Sequence, residues 1–310
     1  MRNEVIKLYE DNDKVTLTTY VLDDSKEMLK GRKRPAILIC PGGAYIDLSD
    51  REAEPVALRF AAMGYHCFVL HYSVYSRGKF DMGKLTKRNA TCVHPRPMLD
   101  IAKAMLLIRE RAEEWKVDVE QIGLCGFSAG AHNVAMYMTN WHREIITKHY
   151  GKEKGAFRPA LAILAYVVSD YAYMAKETDG CGEWQKELFK CMDMALLGER
   201  EPSDEMLKMA SPVLWVDENT PPVFLWATAK DNMVPIQHTL RMAHALADHD
   251  VPFEVHVFEQ GPHGMSLGTQ ASAGSTAQIS SDVQKWTELA EAWLQKRLIL
   301  EIDPPMPSMA

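Results

Sequence analysis

Two kinds of hydrophobic segment alternate along the chain. Short, nearly continuous apolar runs are typical of strands buried on both faces, whereas longer amphipathic segments are typical of helices packed on a sheet. The predicted strands span residues 35–40, 66–72, 121–127, 161–168, 223–228 and 253–258. The predicted helices span residues 52–63, 97–115, 129–141, 236–248 and 281–298. This alternation predicts an α/β fold, with a mostly parallel, doubly wound sheet and helices on both faces.

Three segments do not fit this alternation of strands and helices. Residues 15–22 alternate polar and apolar positions, which predicts a half-exposed antiparallel strand at the sheet edge. Residues 73–96 and 169–222 are expected to be insertions at the C-terminal edge of the sheet, where α/β folds bind substrates. Residues 1–300 are therefore expected to form a single domain. The tail, residues 301–310, contains three prolines and is expected to be disordered.

Composition narrows the classes of partner. A net charge of -7 argues against nucleic acid and anionic membranes, because both bind clustered Lys and Arg. No apolar run is long enough to span a bilayer or to resemble an export signal, so a cytoplasmic protein is expected. The six cysteines contain no CxxC pair and are expected to be reduced, buried thiols. The 11 histidines show no metal-ligand spacing, so neither a metal nor a cofactor is predicted, and a homo-oligomer stays open.

A G-x-S-x-G motif at residues 126–130 follows a predicted strand and opens a predicted helix. So sharp a turn needs small residues on both sides of Ser128, and it exposes the serine as a candidate nucleophile. The alternative is an ordinary tight turn with Ser128 as a helix N-cap. The helix N-terminus also offers the N–H group of Ala129 to a developing oxyanion. A second donor is expected from the Gly-Gly loop at residues 41–45, which could otherwise be only a connection.

A nucleophilic serine needs a base, and the base needs a carboxylate that fixes its tautomer. His263 follows the last predicted strand among turn residues and is the candidate base. His132 lies one helical turn beyond Ser128, below it, and is expected to be a buried structural histidine. Asp231 follows the strand at residues 223–228 and gives the order Ser, Asp, His. Asp170, after the preceding strand, is the rival acid.

Several linked motifs resemble those of one branch of the α/β-hydrolases, the acetyl-xylan-esterase-like and feruloyl-esterase-like proteins. The motifs are PGGAY at residues 41–45, DREAEPVALRFAAMGYHCFVLHYS at 50–73, GFSAGAH at 126–132, WATAKDNMVP at 226–235 and FEVHVFEQGPHGMSL at 253–267. The resemblance implies Ser128, Asp231 and His263 as a catalytic triad. It also implies an oxyanion hole near Gly43 and at Ala129. One departure is Ala44, which stands where the family usually has a third glycine; alanine keeps its N–H group, but a positive φ would be costly there.

These features predict a serine esterase acting on short-chain, mainly acetyl, esters through an acyl-enzyme on Ser128. The resemblance implies small-molecule or oligosaccharide esters, such as acetylated sugars or xylan fragments, as substrates. Two alternatives stay open. One is a serine peptidase with the same triad, although such relatives usually carry an N-terminal propeller domain. The other is a non-catalytic binding module of the same fold, although such modules normally lose a triad residue.

Overall fold

An eight-stranded sheet lies at the centre of the computed structural model, which describes residues 1–76, 78 and 85–304. Its strands are β1 (Val5–Lys7), β2 (Thr16–Tyr20), β3 (Arg34–Cys40), β4 (His66–His71), β5 (Val117–Phe127), β6 (Leu161–Ala165), β7 (Val223–Thr228) and β8 (Phe253–Phe258). The spatial order is β1-β2-β4-β3-β5-β6-β7-β8. Strands β3 to β8 run parallel, and β1 and β2 are antiparallel additions. This is the predicted α/β-hydrolase architecture.

Helices cover both faces of the sheet. They are α1 (Glu54–Ala62), α2 (Arg96–Glu110), α3 (Ala112–Trp115), α4 (Ala129–Asn140), α5 (Glu144–Tyr150), α6 (Tyr171–Glu177), α7 (Glu183–Leu197), α8 (Asp204–Met209), α9 (Gln237–Asp248) and α10 (Trp286–Leu294). Successive side chains of β3 point to opposite faces. Leu38 joins the core that includes α2, α4 and α9, whereas Ile37 and Ile39 join the core formed with α1 and α10. Burial on both faces accounts for the continuous apolar run of β3.

The two margins of the sheet differ from the prediction. The segment at residues 15–22 was expected at the edge, but β2 pairs with β4 on one side and with β1 on the other. The three-residue strand β1 is too short to produce a pattern in the sequence. The segment at residues 253–258 was expected to be buried on both faces. It forms β8 at the opposite edge, where Phe253 and Val257 are exposed.

Several helices and strands begin or end at residues other than those predicted. The predicted helix at residues 97–115 divides into α2 and α3, and the one at residues 281–298 shortens to α10 after a 3₁₀ turn, Val283–Lys285. Strand β5 begins at Val117 rather than at residue 121. Strand β6 ends at Ala165 because Tyr166 adopts a positive φ of 39°, which extended backbone does not allow. That turn places Tyr166 at the C-terminal edge of the sheet.

The two expected insertions meet each other at this edge. Residues 169–222 contain α6, α7 and α8, and in the segment at residues 73–96 the N–H group of His94 donates to the carbonyl of Leu196 at 2.7 Å. Residues 77 and 79–84 of that segment lie outside the described residues, as do residues 305–310 of the tail. The first four tail residues are described, and Asp303 forms ion pairs there with Lys30 and Arg32.

No disulfide joins any of the six cysteines, all of which lie within the described residues. Five are buried as expected, and Cys181 is only half-buried because it precedes the exposed start of α7. Among the described residues, no helix combines the length and the apolar character needed to cross a membrane.

Candidate active site

Ser128 lies on the sharp turn between β5 and α4. Its backbone has φ 52° and ψ -120°, a strained conformation that costs about 1–3 kcal/mol. Glycines on both sides are required by close backbone contacts rather than by flexibility. A Cβ atom at Gly126 would lie 2.4 Å from the Gly130 carbonyl oxygen, and one at Gly130 would lie 2.1 Å from the Cys40 carbonyl oxygen. The spacing of the G-x-S-x-G motif is therefore imposed by the packing of this turn.

His263 contacts Ser128 from the loop that follows β8. The Ser128 Oγ and His263 Nε2 atoms are 2.8 Å apart. The side chain of His263 is 13% exposed, so the imidazole is mostly shielded yet open on one side. The contact joins two residues 135 positions apart, and it forms because β5 and β8 both end at the same edge of the sheet.

Asp231 completes a chain of hydrogen bonds from the loop after β7. His263 Nδ1 donates to Asp231 Oδ2 at 2.8 Å, and the other carboxylate oxygen accepts the N–H groups of Met233 and Val234 at 2.9 Å each. The side chain of Asp231 is only 1% exposed. With Nδ1 protonated toward Asp231, Nε2 is free to accept the Ser128 hydroxyl proton. The arrangement can therefore activate the serine.

The electrostatic balance at His263 favours this role. Burial lowers the pKa of the His263 imidazole, but the charge and hydrogen bond of Asp231, together with the charge of Glu52, outweigh burial, so the net pKa lies above its ordinary value. An imidazolium formed by a proton from Ser128 would thus be stabilised in place.

Asp170, the rival acid, lies elsewhere. It caps the N-terminus of α6, where its Oδ1 atom accepts the N–H group of Tyr173 at 2.9 Å. Its Oδ2 atom forms an ion pair with Arg241 at 3.2 Å. The hydrogen bond to His263 is therefore made by Asp231 and not by Asp170.

The Gly-Gly loop runs beside Ser128. A Cβ atom at Gly42 would lie 3.0 Å from the Ser128 Cβ atom, and Gly43 has a φ of 132°. Among the hydrogen bonds of the described residues, the N–H groups of Gly43, Ala44 and Ala129 have no partner. These three groups, all expected from the sequence, remain available to a substrate oxygen.

Ala44 adopts the costly conformation. Its φ is 60°, and that of Tyr45 is 59°, so two consecutive non-glycine residues are left-handed. The side chain of Tyr45 secures this loop, because its hydroxyl donates to His132 Nδ1 at 2.6 Å. His132 Nε2 in turn donates to the Ala210 carbonyl at 2.8 Å, which fixes the neutral tautomer.

The structure confirms His132 as a buried, hydrogen-bonded histidine, and burial lowers its pKa to about 3. Its hydrogen bond to Tyr45 was not predicted, because the motif around Ser128 does not show that His132 lies near Tyr45. Tyr166 was missed as well. Its ring meets the His263 imidazole edge-on, with ring centroids 5.0 Å apart, and no motif marks it in the sequence.

A serine on the strand-to-helix turn of such a sheet, hydrogen-bonded to a histidine that is itself hydrogen-bonded to an aspartate, defines an α/β-hydrolase when both partners come from later loops. Comparison with known proteins leads to the family. The chain belongs to the BD-FAE family, which it matches over residues 24–246. The resemblance found in the sequence motifs is thereby confirmed.

Individual relatives agree with this assignment. The chain is 30% identical over 239 residues to endo-1,4-beta-xylanase B of Butyrivibrio fibrisolvens, covering 76% of this chain and 33% of that protein. It spans a third to a half of the length of the curated relatives that it matches.

Among solved structures, it is similar to the acetyl ester-xyloside bifunctional hydrolase of Caldicellulosiruptor lactoaceticus, with 30% identity, a TM-score of 0.73, and coverage of 95% of this chain and 96% of that one. It is also similar to the carboxylesterase Cest-2923 of Lactobacillus plantarum, with 25% identity, a TM-score of 0.78, and coverage of 97% and 99%.

The strain at Ala44 can be tested by substitution. Ala44→Gly should raise the free energy of unfolding by about 0.5–1 kcal/mol, because relief of the left-handed strain outweighs the extra backbone entropy of glycine in the unfolded chain. Urea unfolding at constant m-value measures the change. The control Ala245→Gly, within α9, should lower stability by about 0.5–1 kcal/mol. Equal destabilisation by both variants would contradict the strain at residue 44.

Proposed function

We propose that this protein is a serine esterase that hydrolyses short-chain acyl esters, mainly acetyl esters, through an acyl-enzyme on Ser128. The observation that carries this proposal is the unbroken chain of hydrogen bonds from Ser128 through His263 to Asp231, with a distance of 2.8 Å at each step. In the proposed reaction Ser128 is the nucleophile, His263 the general base and Asp231 the carboxylate that orients the base.

The first half of the reaction acylates the enzyme. The Ser128 Oγ atom bonds to the ester carbonyl carbon while its proton passes to His263 Nε2. The negative charge on the carbonyl oxygen is stabilised by the N–H groups of Ala129 and of Gly43 or Ala44. When the tetrahedral intermediate collapses, the bond from carbon to the alcohol oxygen breaks, and the alcohol takes the proton from His263.

The second half releases the acid. Water gives a proton to His263 Nε2 as its oxygen bonds to the acyl carbon, and a second oxyanion forms in the same place. Collapse breaks the bond to Ser128 Oγ, which recovers its proton from His263. The Asp231 carboxylate stabilises the imidazolium in both halves, and this scheme needs no metal or organic cofactor.

The proposed natural substrates are acetylated sugars or xylan fragments. Support comes from relatives whose names refer to xylan or to acetyl ester and xyloside hydrolysis. The polar, basic character of the segment at residues 73–96 also suits a small polar ester better than a fatty acyl chain.

Labelling of Ser128 tests the central role. The wild-type protein should react covalently with a fluorophosphonate probe, and Ser128→Ala should neither label nor retain activity, with kcat on an aryl acetate lowered at least ~10³-fold. His263→Ala should lower kcat on the same substrate to a similar degree. Ser281→Ala, at an exposed position, is the matched control and should behave as wild type.

Two results would redirect the proposal. A folded wild-type protein that neither labels nor hydrolyses esters would point to a binding module. Labelling combined with faster cleavage of peptide anilides than of aryl esters would point to a peptidase.

The two candidate acids can be separated by a matched pair of substitutions. Asp231→Asn should lower kcat at least ~10²-fold, because an amide cannot hold the Nδ1-protonated tautomer of His263. Asp170→Asn should lower kcat less than ~10-fold, since its contacts are with Tyr173 and Arg241. The reverse ranking, measured on aryl acetate with both variants folded, would move the acid to residue 170.

Acyl length tests the substrate class. Each methylene that enters an apolar groove contributes up to ~0.8 kcal/mol, so a long-chain enzyme would show kcat/KM rising with chain length. Here p-nitrophenyl acetate or propionate should be the best substrate, and the octanoate ester at least ~10-fold worse, a difference of about 1.4 kcal/mol. An octanoate ester hydrolysed as fast as acetate would overturn the short-chain assignment.

A further inference from the structure

A buried carboxylate lies beneath the proposed oxyanion loop. Glu52, in the 3₁₀ turn Asp50–Glu52 before α1, is only 2% exposed. Its Oε2 atom accepts the N–H group of Gly42 at 2.8 Å. A Cβ atom at Gly42 would lie 2.7 Å from that oxygen and 3.0 Å from the Ser128 Cβ atom. The carboxylate therefore holds the loop at the point where it passes the nucleophile.

The other oxygen of Glu52 reaches the opposite side of the site. Tyr166 donates its hydroxyl to Glu52 Oε1 at 2.5 Å, and the same hydroxyl accepts the N–H group of Ser266 at 3.0 Å. Burial and the neighbouring Glu52 raise the pKa of Tyr166 well above its ordinary value, so the phenol remains a donor. Ser266 belongs to the loop that carries His263, and the Tyr166 ring lies against the His263 imidazole.

The backbone next to Glu52 contacts the same loop. The Ser266 hydroxyl donates to the Arg51 carbonyl at 2.7 Å, and the Arg51 guanidinium donates to the Gly264 carbonyl at 2.8 Å. A single three-residue turn thus binds the oxyanion loop on one side and the His263 loop on the other. The covalent chain does not link these two loops directly, since more than 200 residues separate them.

Burying a carboxylate without a partner of opposite charge costs free energy. Within the described part of the chain, no Lys, Arg or His forms an ion pair with Glu52, and its two hydrogen-bond donors are neutral groups. An unpaired buried carboxylate destabilises a fold, and an apolar side chain would serve packing better. The position of Glu52 is therefore explained better by the site than by the core.

We propose that Glu52 and Tyr166 are positioning residues, which together fix the oxyanion loop and the His263 loop relative to Ser128. This inference rests on the proposed esterase function. Through Gly42, Glu52 sets where the free N–H groups of the loop stand, and through Tyr166 it sets the orientation of the imidazole. Misplacement of such groups by about 1 Å can cost ~10²-fold in rate.

The carboxylate also acts through its charge. The charged and titratable groups that face His263 are Asp231 from the loop after β7, and Glu52 and Arg51 from the 3₁₀ turn, with the neutral Tyr166 beside them. Glu52 raises the pKa of His263 and Arg51 lowers it. Loss of the negative charge at residue 52 should therefore lower the pKa of His263. The base would then stay neutral, and active, to a lower pH.

The test compares Glu52→Gln with the control Glu54→Gln. Both variants replace a glutamate by glutamine of nearly the same size, but Glu52 is buried and Glu54 is exposed. Glu52→Gln should lower kcat on p-nitrophenyl acetate about 10-fold to 100-fold with little change in KM. The acid limb of its kcat/KM profile, and of its rate of fluorophosphonate labelling, should move to lower pH. Glu54→Gln should match the wild type in all of these measurements.

A double-mutant cycle tests the link through Tyr166. Tyr166→Phe keeps the ring against His263 and the charge of Glu52, but removes the hydroxyl between Glu52 and Ser266. It should lower kcat about 10-fold, and the double variant should be little worse than Glu52→Gln alone, because both changes break one connection. Should Glu52→Gln fail to fold, Tyr166→Phe carries the test by its loss of kcat with its acid limb unshifted.

The outcomes separate this inference from the proposed function. Wild-type protein without labelling or esterase activity would reject the function itself. An active wild type, with Glu52→Gln and Tyr166→Phe equal to it in kcat and in pH profile, would reject only the positioning role. Losses confined to melting temperature, with kcat unchanged in both folded variants, would also overturn the positioning role.

Discussion

The site depends on the close contact between the end of β3 and the start of α4. A Cβ atom at Gly130 would lie 2.1 Å from the Cys40 carbonyl oxygen and 2.4 Å from that of Pro41, so the two backbones touch. The Gly-Gly loop begins at this contact, and Ser128 lies two residues before it on the helix side. Backbone contact sets their separation without ordering long side chains, which would cost conformational entropy.

Two histidines near this contact, His263 and His132, differ in pKa because their hydrogen-bond partners differ. His263 shares a hydrogen bond with the Asp231 carboxylate, and the charges of Asp231 and Glu52 together with this bond outweigh burial and raise its pKa. His132 is held between the Tyr45 hydroxyl and the Ala210 carbonyl, and without a carboxylate partner burial lowers its pKa to about 3. One histidine can therefore take a proton in the proposed reaction, while the other stays neutral and supports the loop.

Features with local causes could be predicted from the sequence. The contact partners Ser128, Asp231 and His263 each follow a strand, and strands β7 and β8 match their predicted bounds because turn residues delimit them. Strand order could not be predicted, so the exposure of β8 and the edge position of β1 were missed. Glu52 and Tyr166 were missed for a similar reason, since their contact joins residues 114 positions apart and has no motif.

Backbone strain collects where the loops meet. Of the eight non-glycine residues with a positive φ in the described chain, five lie at the C-terminal edge of the sheet, namely Ala44, Tyr45, Ser128, Tyr166 and Ser266. Such conformations persist only where surrounding contacts over-determine them. Here the contacts are buried polar ones, from His132 to Tyr45 and from Glu52 to Tyr166. Apolar replacements could favour the core, but they would release the strained loops that hold Ser128 and His263 together, so stability and function make opposite demands on these positions.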